Sequence, residues 1–473
     1  MIHNLPELPP RDVVQEVNPW RTAMSRVLWG MALSGITVQL LYLHYILPTI
    51  GLVLMLLGFR AMQRENGWLR ACYGMTVLLT GIFFAQLLMN YTMYRFGDTV
   101  SQLLEVLTAL LHLGLYFCFW LGLKRLRKKA GQPPEAGAAA VLLVWYLLVC
   151  SLSILSIGNG FFALMILLAY VILLVSLNRL SKAIAEAGYA MQPAALRFTN
   201  RSLVLGLAAL LLVGGIGGYL LGGRHAMDWQ PVDEAEHPAV AEDATHLREL
   251  GFPEEVLADL TAEDITACVD AVCVYSDVSL QTFTGRTADE KQLRFTSVAV
   301  QLEQEGDWLI IHHFLWLKEP SYHGTGCLLV WPASTLEQGW AASEGISGRL
   351  LCDRDGAVCA ADYAYLGQQT YAPQDNMFST LNAERENDIF AAFSPPKDGE
   401  NFRGYVTYTT SQLQEGWYLS SWLNYTYLRT WLQYPVCSAM QWCLQRGMFN
   451  SDPLVTVQHP FMLQCSEDGW KVG

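Results

Sequence analysis

The stretch Lys124-Arg125-Leu126-Arg127-Lys128-Lys129 lies between two long apolar segments of the chain. Lys and Arg residues that flank membrane spans are retained preferentially on the cytoplasmic side of the bilayer. We therefore expect this run to set the orientation of every segment around it. The topology-determining residues that we infer are Lys124, Arg125, Arg127, Lys128 and Lys129.

The composition of the chain changes sharply near its midpoint. Overall it is 52% hydrophobic and 15% charged, averages that suggest a membrane protein. Residues 1–225 carry a net charge of +9, whereas residues 226–473 carry a net charge of −22. We therefore predict that the first half is embedded in the bilayer and has basic loops, and that the second half is a soluble acidic region. A domain this acidic repels nucleic acid, so we predict no nucleic-acid partner.

The apolar runs predict an all-α polytopic membrane bundle of about seven helices over residues 27–223. The run Val27–Phe59, as one helix, would reach about 50 Å, whereas the bilayer core is about 30 Å thick. Two short helices with a turn near Leu43–Pro48 fit better, although one long helix remains an alternative. The later spans are predicted at Ala71–Met93, Leu103–Leu123, Ala138–Ile157, Phe161–Leu177 and Leu203–Leu221.

The distribution of Lys and Arg between alternate loops predicts the orientation of this bundle. Under the seven-helix interpretation, one side holds 15 of these residues and the other holds 2. This split predicts a multi-pass protein of the cell membrane with a cytoplasmic N-terminus and an extracytoplasmic C-terminal domain. Residues 1–26 lack a signal-peptide cleavage site and read as a cytoplasmic amphipathic arm. If Val27–Phe59 is one helix, the split becomes 12 to 5, and the C-terminal domain still faces outward.

The acidic half predicts a stalk followed by a globular domain. Residues 224–242 are acidic and poor in large apolar groups, which is typical of a stalk. Residues 243–473 predict three short helices and then many antiparallel hairpins, an α+β fold dominated by antiparallel β-structure. The expected strand pairs are Leu293–Leu302 with Trp308–Leu317, Arg349–Cys352 with Ala357–Tyr365, and Phe402–Thr410 with Trp417–Leu428.

Turn geometry favours a disulfide between two cysteines of the acidic half. A two-residue turn at Asp355-Gly356 makes Cys352 and Cys359 directly opposite each other on paired strands. Opposed Cα atoms lie about 4.5–5.5 Å apart, which is within disulfide reach. We predict a Cys352–Cys359 disulfide in an exported domain, with free thiols in a reducing habitat as the alternative.

Two further patterns lie in the predicted membrane helices. Gly214, Gly218 and Gly222 recur every four residues, so they share one helix face that allows close approach of another helix. We expect this face to pack inside the same bundle, with a dimer seam as the alternative. His112 lies in the middle of the fourth span and Glu105 near its outer end. Ionisable groups inside the bilayer often mark transport paths, although a lone His is more often a packing residue.

Aromatic residues crowd one segment of the acidic half. Trp417, Tyr418, Trp422 and Tyr425 lie on a predicted strand whose two faces are both aromatic. One face should pack into the core, and the other is a candidate binding surface for a glycan, a peptide or a partner. Core packing is the more frequent role of such residues.

Metal and catalytic motifs are absent from the sequence. His323 and Cys327 have a spacing that two metal ligands could use, but His312 and His313 are adjacent on a strand and must point to opposite faces. No Cys-x-x-Cys, His-Glu-x-x-His or Gly-x-Ser-x-Gly pattern occurs. We therefore predict a protein without metal, cofactor or catalytic residues.

These patterns favour a non-enzymatic membrane protein that displays a binding, sensory or assembly domain outside the cell. Its expected partners are the lipid bilayer and a membrane or extracellular protein. The first alternative is a transporter or lipid-handling protein capped by the outer domain, which a polar groove reaching His112 would favour. The second alternative is an exported enzyme tethered to the membrane.

Overall fold

The computed structural model divides the chain into two compact units, Met1–Asn90 with Tyr94–Gly218, and Tyr91–Met93 with Tyr219–Gly473. The structure describes residues 19–35, 42–155, 160–189, 191, 198–232, 240–281, 292–304, 307–318, 322–335, 339–340, 344–371, 385–410, 418–430, 433–446, 453–466 and 469–472. Each unit is built differently, the first from long apolar helices and the second mainly from antiparallel strands.

The first unit is a helical bundle. Its helices are α1 Pro19–Gly35, α2 Leu43–Met62, α3 Gly67–Met89, α4 Asp98–Lys129, α5 Gly137–Ile154, α6 Gly160–Glu186 and α7 Asn200–Gly222, the last ending in the second unit. Within the described residues, six helices, α2 to α7, are long and apolar enough to cross a bilayer. The helix α1 has 17 residues and is not among them. The prediction of a membrane bundle is confirmed, whereas the count of seven spans is not.

The apolar stretch Val27–Phe59 is divided between two helices, as predicted. The break precedes Leu43, because α2 begins there after Tyr42, whose φ of 63° is left-handed. Pro48 lies inside α2, so the predicted turn at Leu43–Pro48 was placed too late in the chain. A proline near the start of a helix removes few backbone hydrogen bonds, so α2 accommodates it.

Helices α1 and α2 pack antiparallel at very short range. A Cβ atom added to Gly51 would lie 2.7 Å from the carbonyl oxygen of Gly30, and one added to Gly58 would lie 2.7 Å from that of Ala23. Only glycine allows backbones to approach this closely. The indole of Trp20, at the start of α1, is fully buried and donates a hydrogen bond to the carbonyl of Ser181 in α6 at 3.2 Å.

The second unit contains two antiparallel sheets. Its strands are β1 Gln230–Pro231, β2 Ala271–Gln281, β3 Leu293–Leu302, β4 Trp308–Trp316, β5 Gly326–Thr335, β6 Gly339–Trp340, β7 Glu344–Ser347, β8 Leu350–Arg354, β9 Ala357–Ala361, β10 Tyr365–Tyr371, β11 Arg385–Phe393, β12 Glu400–Thr410, β13 Tyr418–Leu428, β14 Leu454–Ser466 and β15 Gly469–Val472. One sheet has the order β1-β9-β8-β12-β4-β3-β2, with β7 on β12. The other has the order β10-β11-β5-β13-β14-β15, with β6 on β5.

The two sheets face each other across an aromatic core, and short helices cover their outer faces. The central layer includes Phe295, Phe314, Phe393 and Tyr425, all fully buried and drawn from both sheets. Helices α8 Ala241–Glu249, α9 Glu254–Leu257 and α10 Ala262–Thr266 cover the first sheet. Helix α11 Ala439–Arg446 covers the second. This arrangement confirms the predicted antiparallel domain, and together the two units fit a membrane protein with a soluble β-rich domain.

The local hairpin predictions are confirmed, but one longer-range pairing was wrong. Strands β3 and β4 pair, and β8 and β9 pair across Asp355 and Gly356, whose φ values of 53° and 80° suit the predicted turn. Strands β12 and β13, which we expected to pair, lie in different sheets. Each is a central strand whose two edges are occupied by other strands, and side-chain alternation carries no information about which strands those are.

The predicted stalk is partly incorporated into the fold. Gln230 and Pro231 pair with Ala360 and Cys359 as the edge strand β1, and Trp229 contacts Phe402 edge to face. Helix α8 already begins at Ala241. Trp229 supplies apolar area that packs on the domain, so this part of the predicted stalk over residues 224–242 contacts the fold. Residues 233–239 lie outside the described residues, and the stalk itself stays a prediction.

Candidate functional site

The helical bundle contains an open cavity of about 500 Å³ with His112 on its wall. This volume falls in the usual range for small-molecule sites, about 300–1,000 Å³. The lining residues come from five helices and are Ser34, Gly35, Gln86, Glu105, Thr108, Ala109, His112, Tyr116, Trp145, Tyr146, Val149 and Tyr170.

Helix α4 supplies the polar wall of this cavity. Glu105, Thr108, His112 and Tyr116 follow one another at spacings of three or four residues, so they share one helix face. The Nδ1 atom of His112 lies 2.9 Å from the carbonyl oxygen of Thr108. Because a carbonyl only accepts, Nδ1 carries the proton and donates, which leaves Nε2 as an acceptor. Among the described residues, we find no hydrogen-bond partner for Nε2.

Aromatic rings form the rest of the wall. The ring centre of Tyr146 lies 5.9 Å from that of His112 and 5.2 Å from that of Tyr116. Trp145 stacks on Tyr170 at 4.6 Å, with an angle of 18° between the ring planes. The hydroxyl of Tyr170 donates to the carbonyl of Met31 at 2.8 Å, so its polar atom is already satisfied. These rings therefore contribute mainly π surface to the cavity.

The Trp145 indole is also tied to the backbone, because its Nε1 donates to the carbonyl of Ile166 at 3.2 Å. The cavity thus combines a carboxylate, an imidazole acceptor and several π faces, and offers few free donors. Such a set attracts a cation, since the faces of aromatic rings are electron-rich. It provides little for an anion.

The cavity occupies one half of the bundle. Gln86 lies near the end of α3 and Glu105 near the start of α4, whereas Tyr116 lies close to the middle of α4. Helix α7 ends on the same side, because a Cβ atom on Gly214 would lie 2.6 Å from the Cδ2 atom of Leu88 in α3. The cavity therefore extends from this end of the bundle to about half its depth.

The structure gives close contacts for two of the three glycines on the predicted packing face of α7, Gly214 and Gly222. Gly214 lies against Leu88 within the bundle, and a Cβ atom on Gly222 would lie 2.6 Å from the Cβ of Thr92. Both neighbours belong to the same chain. A common packing face that includes Gly218 stays a prediction.

The basic run after the fourth span is helical. Lys124, Arg125, Arg127, Lys128 and Lys129 form the last turns of α4, whereas the predicted span ended at Leu123. Cations at a helix C-terminus interact favourably with the helix dipole, which accounts for the continued helix. The guanidinium of Arg125 lies 5.5 Å from the ring centre of Trp68. Their role in setting the topology stays a prediction.

The predicted disulfide positions lie directly opposite each other. Cys352 on β8 is the register partner of Cys359 on β9, and both side chains are buried as free thiols. Burial raises the pKa of the Cys352 thiol to about 11, so this cysteine, as a free thiol, is in its unreactive form. The disulfide itself stays a prediction.

The predicted aromatic surface is corrected at one position. Tyr425 is fully buried between the sheets, and its hydroxyl accepts a hydrogen bond from Nε1 of Trp316 at 2.9 Å. It is therefore a core residue. Trp422 is half-buried, and its ring centre lies 5.5 Å from that of Trp331. Trp417 and the side chain of Tyr418 lie outside the described residues.

The second unit contains two clusters of polar side chains whose members are distant in sequence, and these contacts were not predicted. The His312 ring lies between Ser297 and Ser421, at 2.7 and 2.8 Å, whereas His313 contacts Asp259 at 2.9 Å. The expectation that these histidines point to opposite faces is confirmed. Because His312 and Ser421 are fully buried, a substrate has no access to this Ser–His pair.

The second cluster is an ion network centred on Asp259. Nε of Arg403 donates to Oδ1 of Asp259 at 2.8 Å, and Nη1 donates to Asp353 at 2.9 Å. Burial alone would raise the pKa of Asp259, but His313 and Arg403 together hold that pKa below its ordinary value. The carboxylate is thus ionised and buried in the fold. Its bonds to His313 on β4 and Arg403 on β12 hold both strands against the segment that follows α9. No single sequence segment carries this pattern, so local motifs could not reveal it.

Comparison with protein-family models and with curated proteins yields no relative from which a function could be transferred. No protein-family model matches the chain, and no curated protein matches it. Its function must therefore be inferred from its own residues.

Proposed function

We propose that this chain is a non-enzymatic membrane protein that binds an amphiphilic organic cation in the cavity beside His112. The observation that carries the proposal is the wall of that cavity, where Glu105 and His112 on α4 share the space with the rings of Tyr116, Trp145 and Tyr146. Ionisable groups within membrane helices are costly and usually mark a functional site.

The physical chemistry of this wall favours an ammonium group. Each cation–π contact contributes about 0.5–2 kcal/mol, and more where water is excluded. A carboxylate adds an opposite charge at the entrance. Residues on the far face of α4, Leu103, Val106 and Leu110, are 66%, 57% and 59% exposed, which suits contact with lipid chains. Because the cavity is open, an amphiphile can place its cationic head among the rings while its chain remains in hydrocarbon.

In this proposal the β-rich unit lies outside the cell and serves as a binding or assembly domain for a protein partner. The excess of Lys and Arg in alternate loops supports that placement. The charge of −22 on residues 226–473 favours a basic partner surface.

The proposal is tested with the full chain purified in a neutral maltoside detergent. The probe is hexyltrimethylammonium, and its control is the uncharged analogue with carbon in place of nitrogen. Titration calorimetry should show saturable binding of the cation and at least about tenfold weaker binding of the analogue, since only the cation engages the π faces and Glu105. Equal binding of the two probes would contradict the proposal.

Matched variants locate the site. Glu105→Gln should weaken binding of the cation about tenfold, because it removes the charge at the cavity. Glu135→Gln makes the same change at a position beyond the other end of α4 and should leave the affinity unchanged. If both variants weaken binding equally, the charge acts from a distance and the cavity is not the site.

Transport of the same cation is the second candidate function. The observation that favours it is the depth of the cavity, which reaches His112 near the middle of α4. Proteoliposomes containing the full chain should then accumulate labelled hexyltrimethylammonium, and Glu105→Gln should abolish this uptake. Binding without uptake would assign the cavity to ligand sensing.

A further inference from the structure

A second cavity, of about 340 Å³, lies in the β-rich unit where the chain leaves α7. We call it the Arg224 pocket. The side chains that matter to its chemistry are Tyr219, Arg224, Tyr322, His323, Lys397 and Gln433. It shares no residue with the cavity beside His112, and it belongs to a different unit of the chain.

Two cations line the Arg224 pocket. The guanidinium of Arg224 is half-buried and donates a hydrogen bond to the backbone carbonyl of Pro395, which fixes its position. The side chain of Lys397 is exposed, and within the described part of the chain neither residue forms a salt bridge. The carboxylate of Asp398 is the acidic group that acts on Arg224. The pocket therefore has a local excess of positive charge.

His323 adds an unsatisfied polar atom. Its Nε2 is buried and has no hydrogen-bond partner in the described residues. Burial lowers the pKa of His323, and the nearby charges of Arg224 and Lys397 lower it further, whereas Asp398 opposes them. A buried polar atom without a partner is costly, so a ligand that bonds to it gains free energy on binding.

The two cations of the Arg224 pocket lie in a unit whose net charge is strongly negative. Residues 226–473 carry a net charge of −22, so a random surface site of this unit should be acidic. Two cations and a neutral imidazole around one concave space are the groups that bind phosphate oxygens. The carboxylates of the rest of the unit repel anions at long range, so this affinity must come from local contacts.

We propose that the Arg224 pocket binds a phosphate group, either free phosphate or the phosphate of a lipid headgroup. Tyr219 and Leu220 belong to the last turn of α7, an apolar helix of 23 residues. A helix of that length spans about 35 Å and so ends near the headgroups of a bilayer. Tyr residues are enriched at that level. This inference is independent of the cation site and goes beyond the proposed function.

Two experimental arms distinguish the sources of the phosphate. In the first, the full chain in nanodiscs of galactolipid, which contain no phosphate, is titrated with inorganic phosphate by calorimetry. In the second, nanodiscs with added phosphatidic acid are dissolved in detergent, and lipid bound to the chain is counted by native mass spectrometry. Saturable binding in the first arm supports a free-phosphate site, and bound phosphatidic acid alone supports a headgroup site.

Matched variants test the residues. Lys397→Gln should weaken binding about tenfold, because it removes a charge-assisted hydrogen bond. Lys471→Gln makes the same change on β15 and should have no effect. Arg224→Gln should also weaken binding. Because it loses the bond to Pro395 as well, Lys397→Gln is the deciding variant if Arg224→Gln does not fold.

The proposal fails if neither inorganic phosphate nor phosphatidic acid binds saturably. It also fails if Lys471→Gln weakens binding as much as Lys397→Gln, since the effect would then be one of net charge. Either result leaves the cation site beside His112 untouched, because that site has its own probe and its own variants.

Discussion

For His312 and His313, the sequence predicts the direction of each side chain but not the residue that it contacts. Strand alternation predicts that adjacent side chains point to opposite faces, and these two do. Their partners could not be predicted. Ser421 is 109 residues from His312, and Asp259 is 54 residues from His313. Periodicity gives the direction of a side chain, whereas the identity of its neighbour depends on the tertiary fold.

His312 predicts a pH dependence of stability. Burial, with a smaller contribution from the charge of His459, lowers the pKa of His312 to about 3 in the folded state. The unfolded value is about 6.5, so between these values the unfolded chain binds the extra proton. The stabilisation is therefore complete above pH 6.5 and is lost as pH falls toward 3, by at most about 1.4 kcal/mol per pH unit.

The measurement is the thermal unfolding midpoint of the full chain in detergent between pH 7 and pH 4. His312→Gln should reduce the dependence of this midpoint on pH, because the residue that titrates on unfolding is gone. The dependence should not vanish, since burial also lowers the pKa values of His225, His323 and His459. An unchanged slope in the variant would show that His312 is not protonated on unfolding.

The candidate site was partly visible in the sequence. His112 and Glu105 stand out because ionisable residues are rare in apolar spans, and their spacing of seven places them on one helix face. Trp145 and Tyr170 were not predicted, because aromatic residues are common in membrane helices and these two come from α5 and α6. Only the packing of the helices shows that they share a cavity with His112.

Helices and strands were predicted best where a local signal marks their ends. The pairing of β8 with β9 follows from two residues, Asp355 and Gly356, whose positive φ angles close the turn. The partners of β12 and β13 were wrong because no local signal specifies them. Most of the short hairpins could therefore be predicted, whereas the assembly of two stacked sheets could not.

The close packing of α1 on α2 predicts a strong effect of one methyl group. Gly51→Ala should destabilise the bundle by about 1–3 kcal/mol, because the new Cβ would lie 2.7 Å from two backbone atoms of α1. Gly81→Ala is the matched control, because a Cβ there has nothing within 4 Å. Thermal unfolding in detergent should show a lower midpoint for Gly51→Ala alone. Equal midpoints would mean that α1 and α2 are not in this contact.

The pairing of β8 with β9, together with the predicted export of this domain, predicts a disulfide. Cys352 and Cys359 are register partners, which is a geometry that a disulfide tolerates. Protein recovered from the membrane under alkylating, non-reducing conditions should carry a Cys352–Cys359 bond, seen as a cross-linked peptide by mass spectrometry. Cys359→Ser should free Cys352 for alkylation after unfolding. If both thiols are alkylated in the unfolded native chain, the bond is absent.

The division of the chain into two units could be predicted from composition alone. Apolar runs and basic loops mark residues 27–223, and acidic, strand-forming sequence marks the rest. The number of spans could not be predicted as reliably. Helix α1 has 17 residues and many buried side chains, so length and hydropathy do not establish whether it crosses the bilayer. The predicted orientation of the C-terminal unit is the same for either count, because three helices, α5, α6 and α7, follow the basic run, and an odd number of crossings places that unit on the opposite side of the bilayer from the run.

The most direct measurement is labelling of introduced cysteines in intact cells with a membrane-impermeant maleimide. Two variants are compared with the native chain, Asp355→Cys at the β8–β9 turn and Lys128→Cys in the basic run. Asp355→Cys should be labelled in intact cells, whereas Lys128→Cys should be labelled only after lysis. The reverse pattern would contradict the account, because the β-rich unit would then lie in the cytoplasm and the basic run outside.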